Sequence, residues 1–345
     1  MTSLGKTLRG VPSAPPLTVV KRSARMVMII GGMLAVSGLA ARAGGEDLQA
    51  AVSLYQNKRV PEAKAAFTEV ARRDTKSAEA AYYLGRIALD AQQWDESIQW
   101  LGKAAGLADT SSLYHLWLGR AYAQKTLHAG ILKRAVLAPS IHKQFERAVE
   151  LDPESIEARF DLARFYALAP GIVGGSIEKA KQQAGEVMKR DRLQGHQCFA
   201  MIYQQQDKPE LVVQEYETAV RETPDDPKAK LWLGIAYQGH KEFDRAFEAF
   251  EALAKAQPPV VGAYYQIGKT AVLSGKNLDR GEESFRLYLQ GEPGNGDPPK
   301  AWAHFRLGSL YEKEGKKDLA RQEYQAALAL QADHEEAKKA LAHLR

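Results

Sequence analysis

One cysteine, Cys198, in 345 residues excludes any intramolecular disulfide. It sits within a stretch of helical apolar spacing, where a buried, inert thiol is expected rather than a nucleophile. The eight histidines include no H-E-x-x-H and no i, i+4 pair, the spacing that puts two imidazoles on one helix face for zinc. No G-x-S-x-G occurs, so the signature of a hydrolase nucleophile is missing. The Gly-rich run GIVGGS at 171–176 lacks the lysine of a phosphate-binding loop, and no strand pattern precedes it. Together these absences predict a chain that is not an enzyme and holds no metal and no cofactor. Long apolar runs are also missing. The longest weakly polar-to-apolar stretch, Val27 to Ala41, has about fifteen residues, short of the roughly 20 that cross a bilayer as a helix.

Acid is absent from the first 43 positions, which carry Lys6, Arg9, Lys21, Arg22, Arg25 and Arg42. A basic segment, a short apolar run and Ala41-Arg42-Ala43 together read as a secretory signal peptide cleaved after Ala43. The expected location is therefore the periplasm. The alternative is a retained anchor in the inner membrane, facing the periplasm. The stretch around Pro12, Pro15 and Pro16 also permits a later start. The segment changes how the charge is read. The whole chain is +5, but without residues 1–43 it has 41 bases against 42 acids. The basic excess belongs to the targeting segment, which removes the argument for a nucleic-acid partner.

What is present is a repeat. In LWLGIAYQGHKEFDRAFEAFEALAKAQP, residues 231–258, Leu233, Gly234 and Tyr237 share one helix face, and Ala246, Phe250 and Leu253 share another. Small residues recur along the chain at Ala51, Gly85, Gly119, Ala163, Ala200, Gly234, Gly268 and Gly308, mostly 34 residues apart. An apolar or aromatic marker follows at Phe67, Leu101, Phe145, Ala184, Tyr216, Phe250, Phe285 and Tyr324. Pro153, Pro224, Pro258 and Pro293 close four units. The pattern L-G-x-x-Y, A-x-x-x-F, P in about 34 residues resembles the tetratricopeptide repeat (TPR) family. Lys230 stands at the family's Trp position, with Trp232 two residues on. The resemblance implies an all-α superhelical solenoid of antiparallel helix pairs. A lone pair cannot bury its own apolar face, so neighbours must stack.

The expected layout is a signal peptide at 1–43 and repeats at 44–77, 78–111, 112–155, 156–192, 193–226, 227–260, 261–300 and 301–333. A solvating helix at 334–345 closes the array. Three interruptions break the count. Ten extra residues fall between Tyr122 and Phe145, and their apolar pattern predicts longer helices that project beyond the stack. Ala169–Gly175 inserts a loop, and GEPGNGDPP at 291–299 a flexible connection. Exported bacterial TPR proteins carry a similar P-G-I-x-G-G loop. The first two interruptions lie in adjacent repeats, so they are expected either to be tolerated loops or to form one feature that a partner reads.

In TPR arrays, ligand contacts come largely from positions 2, 5, 9 and 12 of each first helix. Carried over, that resemblance places Arg86, Arg120, Arg164, Met201, Ile235, Lys269 and Ser309 one residue after the small-residue column. Tyr82, Leu116, Phe160, Gln197, Leu231, Tyr265 and Phe305 stand three residues before it, four from the first set and on the same helix face. An arginine ladder flanked by Tyr82 and Phe160 suits carboxylates, since guanidinium groups fork onto them and stack on rings. The competing expectation is that these arginines pair internally with Glu79, Glu157 or Asp161. The family's Asn-and-Lys carboxylate clamp does not match, because Arg occupies the Asn positions. The expected function is a scaffold or adaptor for an unidentified protein or peptide, with no small-molecule substrate. The alternatives are a membrane-tethered accessory subunit of an envelope assembly or secretion complex, and an enzyme with a site at 124–140 and 169–175.

Overall fold

The computed structural model describes residues 37–294 and 296–344, with side chains from Gly45 onward and that of Ile131 set aside. Most of the expected signal segment therefore lies outside the described residues. Among the described residues the chain forms seventeen α-helices and one 3-10 turn, and no strand. Contacts divide it into two compact units that part after Lys208.

The first unit comprises α1 (Ser37–Gln56), α2 (Val60–Arg73), α3 (Ala78–Asp90), α4 (Trp94–Leu107), α5 (Ser112–Leu127), α6 (Ile131–Leu151), α7 (Ile156–Leu168), α8 (Ile177–Arg190) and α9 (Arg192–Gln205). The second comprises α10 (Pro209–Glu222), α11 (Pro227–Gly239), α12 (Phe243–Ala254), α13 (Val261–Ser274), α14 (Leu278–Gln290), α15 (Lys300–Lys313), α16 (Lys317–Leu330) and α17 (Glu335–His343). In each unit, helices consecutive in the chain pack as neighbours. Helix starts are written locally. Ser77, Ser155 and Ser176 accept from the backbone N–H three residues on, and Pro227 takes the first-turn position where a missing N–H costs nothing.

The small-residue column is where paired helices touch. A Cβ at Gly119, Gly234, Gly268 or Gly308 would fall 2.5–2.6 Å from a ring carbon of Phe145, Phe250, Phe285 or Tyr324 respectively. Those four rings are at most 4% exposed. Hydrogen at these positions lets the ring lie on the backbone of the facing helix, and full burial of such a side chain contributes about 2–3 kcal/mol.

The interruptions take distinct forms. The ten extra residues lengthen α5 to 16 residues and α6 to 21, where the neighbouring α3, α4, α7 and α8 have 13 or 14. Pro139 lies inside α6, and the turns before it stand in solvent, with Leu132 85% and Val136 74% exposed. The 169–175 loop holds a 3-10 turn, Gly171–Val173, then Gly174 at φ +100°, a left-handed backbone that glycine adopts without strain. Two hydrogen bonds fall within the described part of the 291–299 connection. The Gly294 N–H donates to Asp297 Oδ2 at 2.8 Å, and the Tyr288 hydroxyl donates to the Pro298 carbonyl. At the end, His334 caps α17, Leu344 is buried against the α13–α16 core, and Arg321 donates to the Leu344 carbonyl at 3.2 Å.

Candidate functional site

Each unit has its own face of interest built from first helices, α3, α5 and α7 in one and α11, α13 and α15 in the other. At two junctions of the first unit a residue after the small column meets the residue two before the column of the next repeat. In the first unit this register sets Arg86 over the Trp117 ring at 3.4 Å from its centroid, while Arg86 Nη1 donates to the Tyr82 hydroxyl at 2.8 Å. Arg120 also lies over Trp117, at 4.6 Å, and its Nε donates to Asp161 Oδ2 at 2.5 Å. Arg164 donates from Nη1 to Asp161 Oδ1 at 3.0 Å and lies 5.2 Å from the Phe160 centroid. Arg120 Nη2 reaches Glu157 at 3.6 Å.

The predicted arginine ladder is thus a chain of contacts running through three repeats. Two of its rungs share one buried carboxylate, Asp161, whose side chain is 6% exposed. Tyr82 and Leu116, at 7% and 3% exposure, are core residues that support the face. Arg86, Arg164 and the partly buried Phe160 and Trp117 keep surface toward solvent. Trp117 was not among the sequence-derived candidates, whereas Asp161 was expected as an internal partner of the arginines, and Arg120 and Arg164 do pair with it. Trp117 and Asp161 both stand two residues before the column, three from the arginine, a spacing that also shares a helix face.

In the second unit, Leu231 and Ile235 are partly buried against the α11–α13 core. Gln238 Nε2 donates to Thr270 Oγ1 at 2.9 Å, a polar rung between the two helices. Tyr265 is 5% exposed, and burial raises its hydroxyl pKa against the opposing charge of Arg306. Lys269 stands on α13 and Arg306 on α15. Burial, and then the Arg306 charge, lower the Lys269 pKa to about 8. Phe305 is knitted into a ring cluster, with centroids 5.2 Å from His334, 5.8 Å from Tyr324 and 5.9 Å from Trp302.

Elsewhere the chemistry is spent internally. Burial pushes the Cys198 thiol up to about 12, which keeps it protonated. His115 sits 2.7 Å from Gln144 Oε1, and His304 sits 2.7 Å from Glu323. Among the described residues no three His, Cys, Asp or Glu converge as a metal site. The two insertions of the first unit do meet. His142 of α6 stacks on Phe165 at 5.0 Å and lies beside Gly174, where a Cβ would be 3.6 Å from Nδ1. The His142 Nε2 is 3.0 Å from Glu146 Oε1, which also accepts from the Tyr166 hydroxyl at 3.0 Å. They border an open cleft of about 700 Å³ whose wall includes Asp109, His115, Pro139 and Ile172. Burial and the Glu146 hydrogen bond push Tyr166 up to about 12, so it remains a neutral donor. The Tyr166 hydroxyl also lies 3.2 Å from His142 Nε2.

Comparison with known proteins finds one repeat family. Tetratricopeptide repeat models match residues 48–112, 199–261 and 303–334. No curated protein matches the chain. Among solved structures, a tetratricopeptide repeat protein from Parabacteroides merdae is 15% identical at a TM-score of 0.49, over 78% of this chain and 98% of that one. The human IFIT1 dimer with m7Gppp-AAAA is 17% identical at 0.47, over 84% and 72%. A thermophilic TPR protein in Thermus thermophilus is 15% identical at 0.45, over 56% and 98%.

Proposed function

The chain belongs to the tetratricopeptide repeat family, and from that premise we propose that it is a protein-interaction scaffold binding an extended acidic peptide along its first-helix faces. The observation that carries the reading is the chain of stacked guanidinium groups, Arg86 over Trp117 and Arg164 over Phe160, with edges left to solvent. Flat cations held against rings are pre-organised, so little side-chain entropy is lost when a carboxylate arrives. Asp161 neutralises one equivalent of charge, which leaves the face cationic but moderate.

The scaffold works in the cell envelope, delivered by the basic and apolar segment at 1–43, and it acts without chemistry of its own. A second reading, a tethered accessory subunit, draws on the apolar run Val27–Ala41 and applies if that run persists in the mature chain. Among the described residues no helix is long and apolar enough to cross a membrane. N-terminal sequencing of the protein recovered from envelopes separates the two, since the soluble scaffold begins near Gly44.

Fluorescence polarisation with a labelled twelve-residue peptide of alternating Glu and Leu tests the binding face. Saturable binding is expected, with roughly tenfold weaker affinity for an Arg86→Gln/Arg164→Gln variant, about the worth of one charge-assisted contact. Equal binding of a Lys–Leu peptide would refute the acidic preference.

A further inference from the structure

The lengthened hairpin of the first unit ends in a turn that no neighbouring helix buries. Helix α6 has 21 residues against 14 in α4 and α8, and the extra length adds roughly 10 Å of helix. Every side chain from Leu132 to Val136 is exposed, on all sides of the helix. A helical turn in open water is expected to be polar, yet Leu132 is 85% and Val136 74% exposed. These two are four residues apart, and the exposed Pro139 follows by three, so they form one stripe along α6. The stripe runs on to the cleft, where Pro139 and Lys143 share the wall with Ile172 of the 169–175 loop, 95% exposed. Leu127, half exposed, adds an apolar side chain at the end of α5.

The charge along this hairpin has one sign. From Thr110 to Phe145 there are five lysines and arginines and no acid, whereas residues 44–345 as a whole have 41 bases against 42 acids. Asp161 and Asp95 hold Arg120 and Lys125. Lys133 and Arg134 on the exposed turn, and Lys143 at the cleft, have no ion pair among the described residues. Arg134 Nε donates to the Ala129 carbonyl at 2.8 Å, which ties the turn to the end of α5 and leaves the charge uncompensated. Acids resume only at Glu146, which pairs with His142.

Exposed leucine and valine beside uncompensated bases, on a projecting turn, match the interface of an anionic bilayer. There the apolar side chains enter the acyl boundary while long basic side chains reach the lipid phosphates. A partner helix would instead need a concave apolar groove, and this turn is a ridge. We propose that the α5–α6 hairpin, with the 169–175 loop beside it, docks the protein on an anionic lipid surface. Leu132 and Val136 insert, and Lys133, Arg134 and Lys143 lie at the headgroups. This goes beyond peptide binding and does not rest on it, because it uses other residues and a different class of partner.

The test uses the full chain. Val136→Cys is labelled with an environment-sensitive nitrobenzoxadiazole dye, and the native Cys198, being buried, stays unlabelled. A dye at Ala65→Cys, an exposed position on α2, is the control. The dye reports its own site, so attachment through residues 1–43 is not mistaken for docking of the hairpin. Vesicles of phosphatidylcholine and phosphatidylglycerol should shift the Val136 dye to the blue and leave the Ala65 dye unchanged, and about 0.5 M salt should weaken the response. Phosphatidylcholine alone should have no effect. Lys133→Glu/Lys143→Glu should weaken vesicle binding at least tenfold, since each basic residue near such a surface strengthens partitioning roughly fivefold. Leu132→Gln should also weaken it, and circular dichroism melting establishes that each variant is folded. An unmoved Val136 dye on anionic vesicles overturns the proposal, and so does an equal shift on neutral ones. A blue shift that grows with protein concentration in the absence of lipid would show a second copy covering the stripe. One produced by the Glu–Leu peptide would show a peptide seat. Either result overturns the lipid assignment.

Discussion

Replacing Asp161 by Asn probes the ladder at its most consequential point. The carboxylate is 6% exposed and is held by Arg120 at 2.5 Å and Arg164 at 3.0 Å. Removing one partner of a fully buried pair costs about 3–5 kcal/mol, because the charge left behind stays desolvated. Here the stranded charges are partly wet, with Arg120 18% and Arg164 36% exposed, and Asn retains an acceptor for one of them. The expected loss is therefore about 2–3 kcal/mol. In a unit of this size that lowers the melting temperature by about 5–10 °C. Scanning calorimetry and urea unfolding give the number. Glu157→Gln serves as the control, since that carboxylate lies 3.6 Å from Arg120 and is 38% exposed. Its loss should cost under about 0.5 kcal/mol. Substituting Arg120→Met, Asp161→Leu and Arg164→Met together should recover most of the stability, because no buried charge is then left unpaired. The Asn variant should also bind the Glu–Leu peptide more tightly, having released two guanidinium groups. An Asp161→Asn protein as stable as the wild type would sink the account of Asp161 as the counter-ion that joins these repeats.

Two further expectations concern the core and the alkaline limb. At Gly119, a Cβ would approach two Phe145 ring carbons to 2.6 Å. Overpacking there costs about 1–3 kcal/mol while alanine's helix propensity returns up to about 1, so Gly119→Ala should destabilise by about 1–2 kcal/mol, and Phe145→Leu should relieve it in a double-mutant cycle. Lys269 has a folded-state pKa of about 8 against an ordinary 10.5, so the folded chain binds that proton less tightly than the unfolded chain. Its penalty is complete below pH 8 and fades as pH rises toward 10.5, so stability should increase over that interval. The shift sets a ceiling of about 3 kcal/mol, and partial exposure reduces the expectation to about 1–2. Urea midpoints from pH 7 to 9.5 should rise for the wild type relative to Lys269→Met. At higher pH the buried tyrosines reverse the trend, because Tyr237 and Tyr311 are pushed up to about 12 by burial and carboxylate hydrogen bonds and ionise first in the unfolded chain. A flat difference between the two proteins would contradict the account of Lys269 as a desolvated cation.

Much of the architecture was legible because a helical repeat is a local code. Spacing by three and four residues sets the apolar face, and a small residue opposite a ring, as Gly234 opposite Phe250, specifies where two helices touch. Neither depends on the rest of the chain. A helix, α17, also lies within 334–345, where an end repeat must cover its apolar face. The contacts that Tyr288 and Asp297 make in the 291–299 connection are ones that glycine and proline content does not encode.

The site divides in the same way. Which residues share the first-helix face followed from the period alone. What each of them meets did not, because that depends on the offset between neighbouring repeats, which is set by packing. Only the tertiary structure put Trp117 beneath Arg86, gave Arg120 and Arg164 one carboxylate between them, and buried Tyr82 and Leu116. A periodic sequence determines faces. The charge state and reach of each face are decided across the repeat junction, where residues some 30 to 40 positions apart in the chain become neighbours.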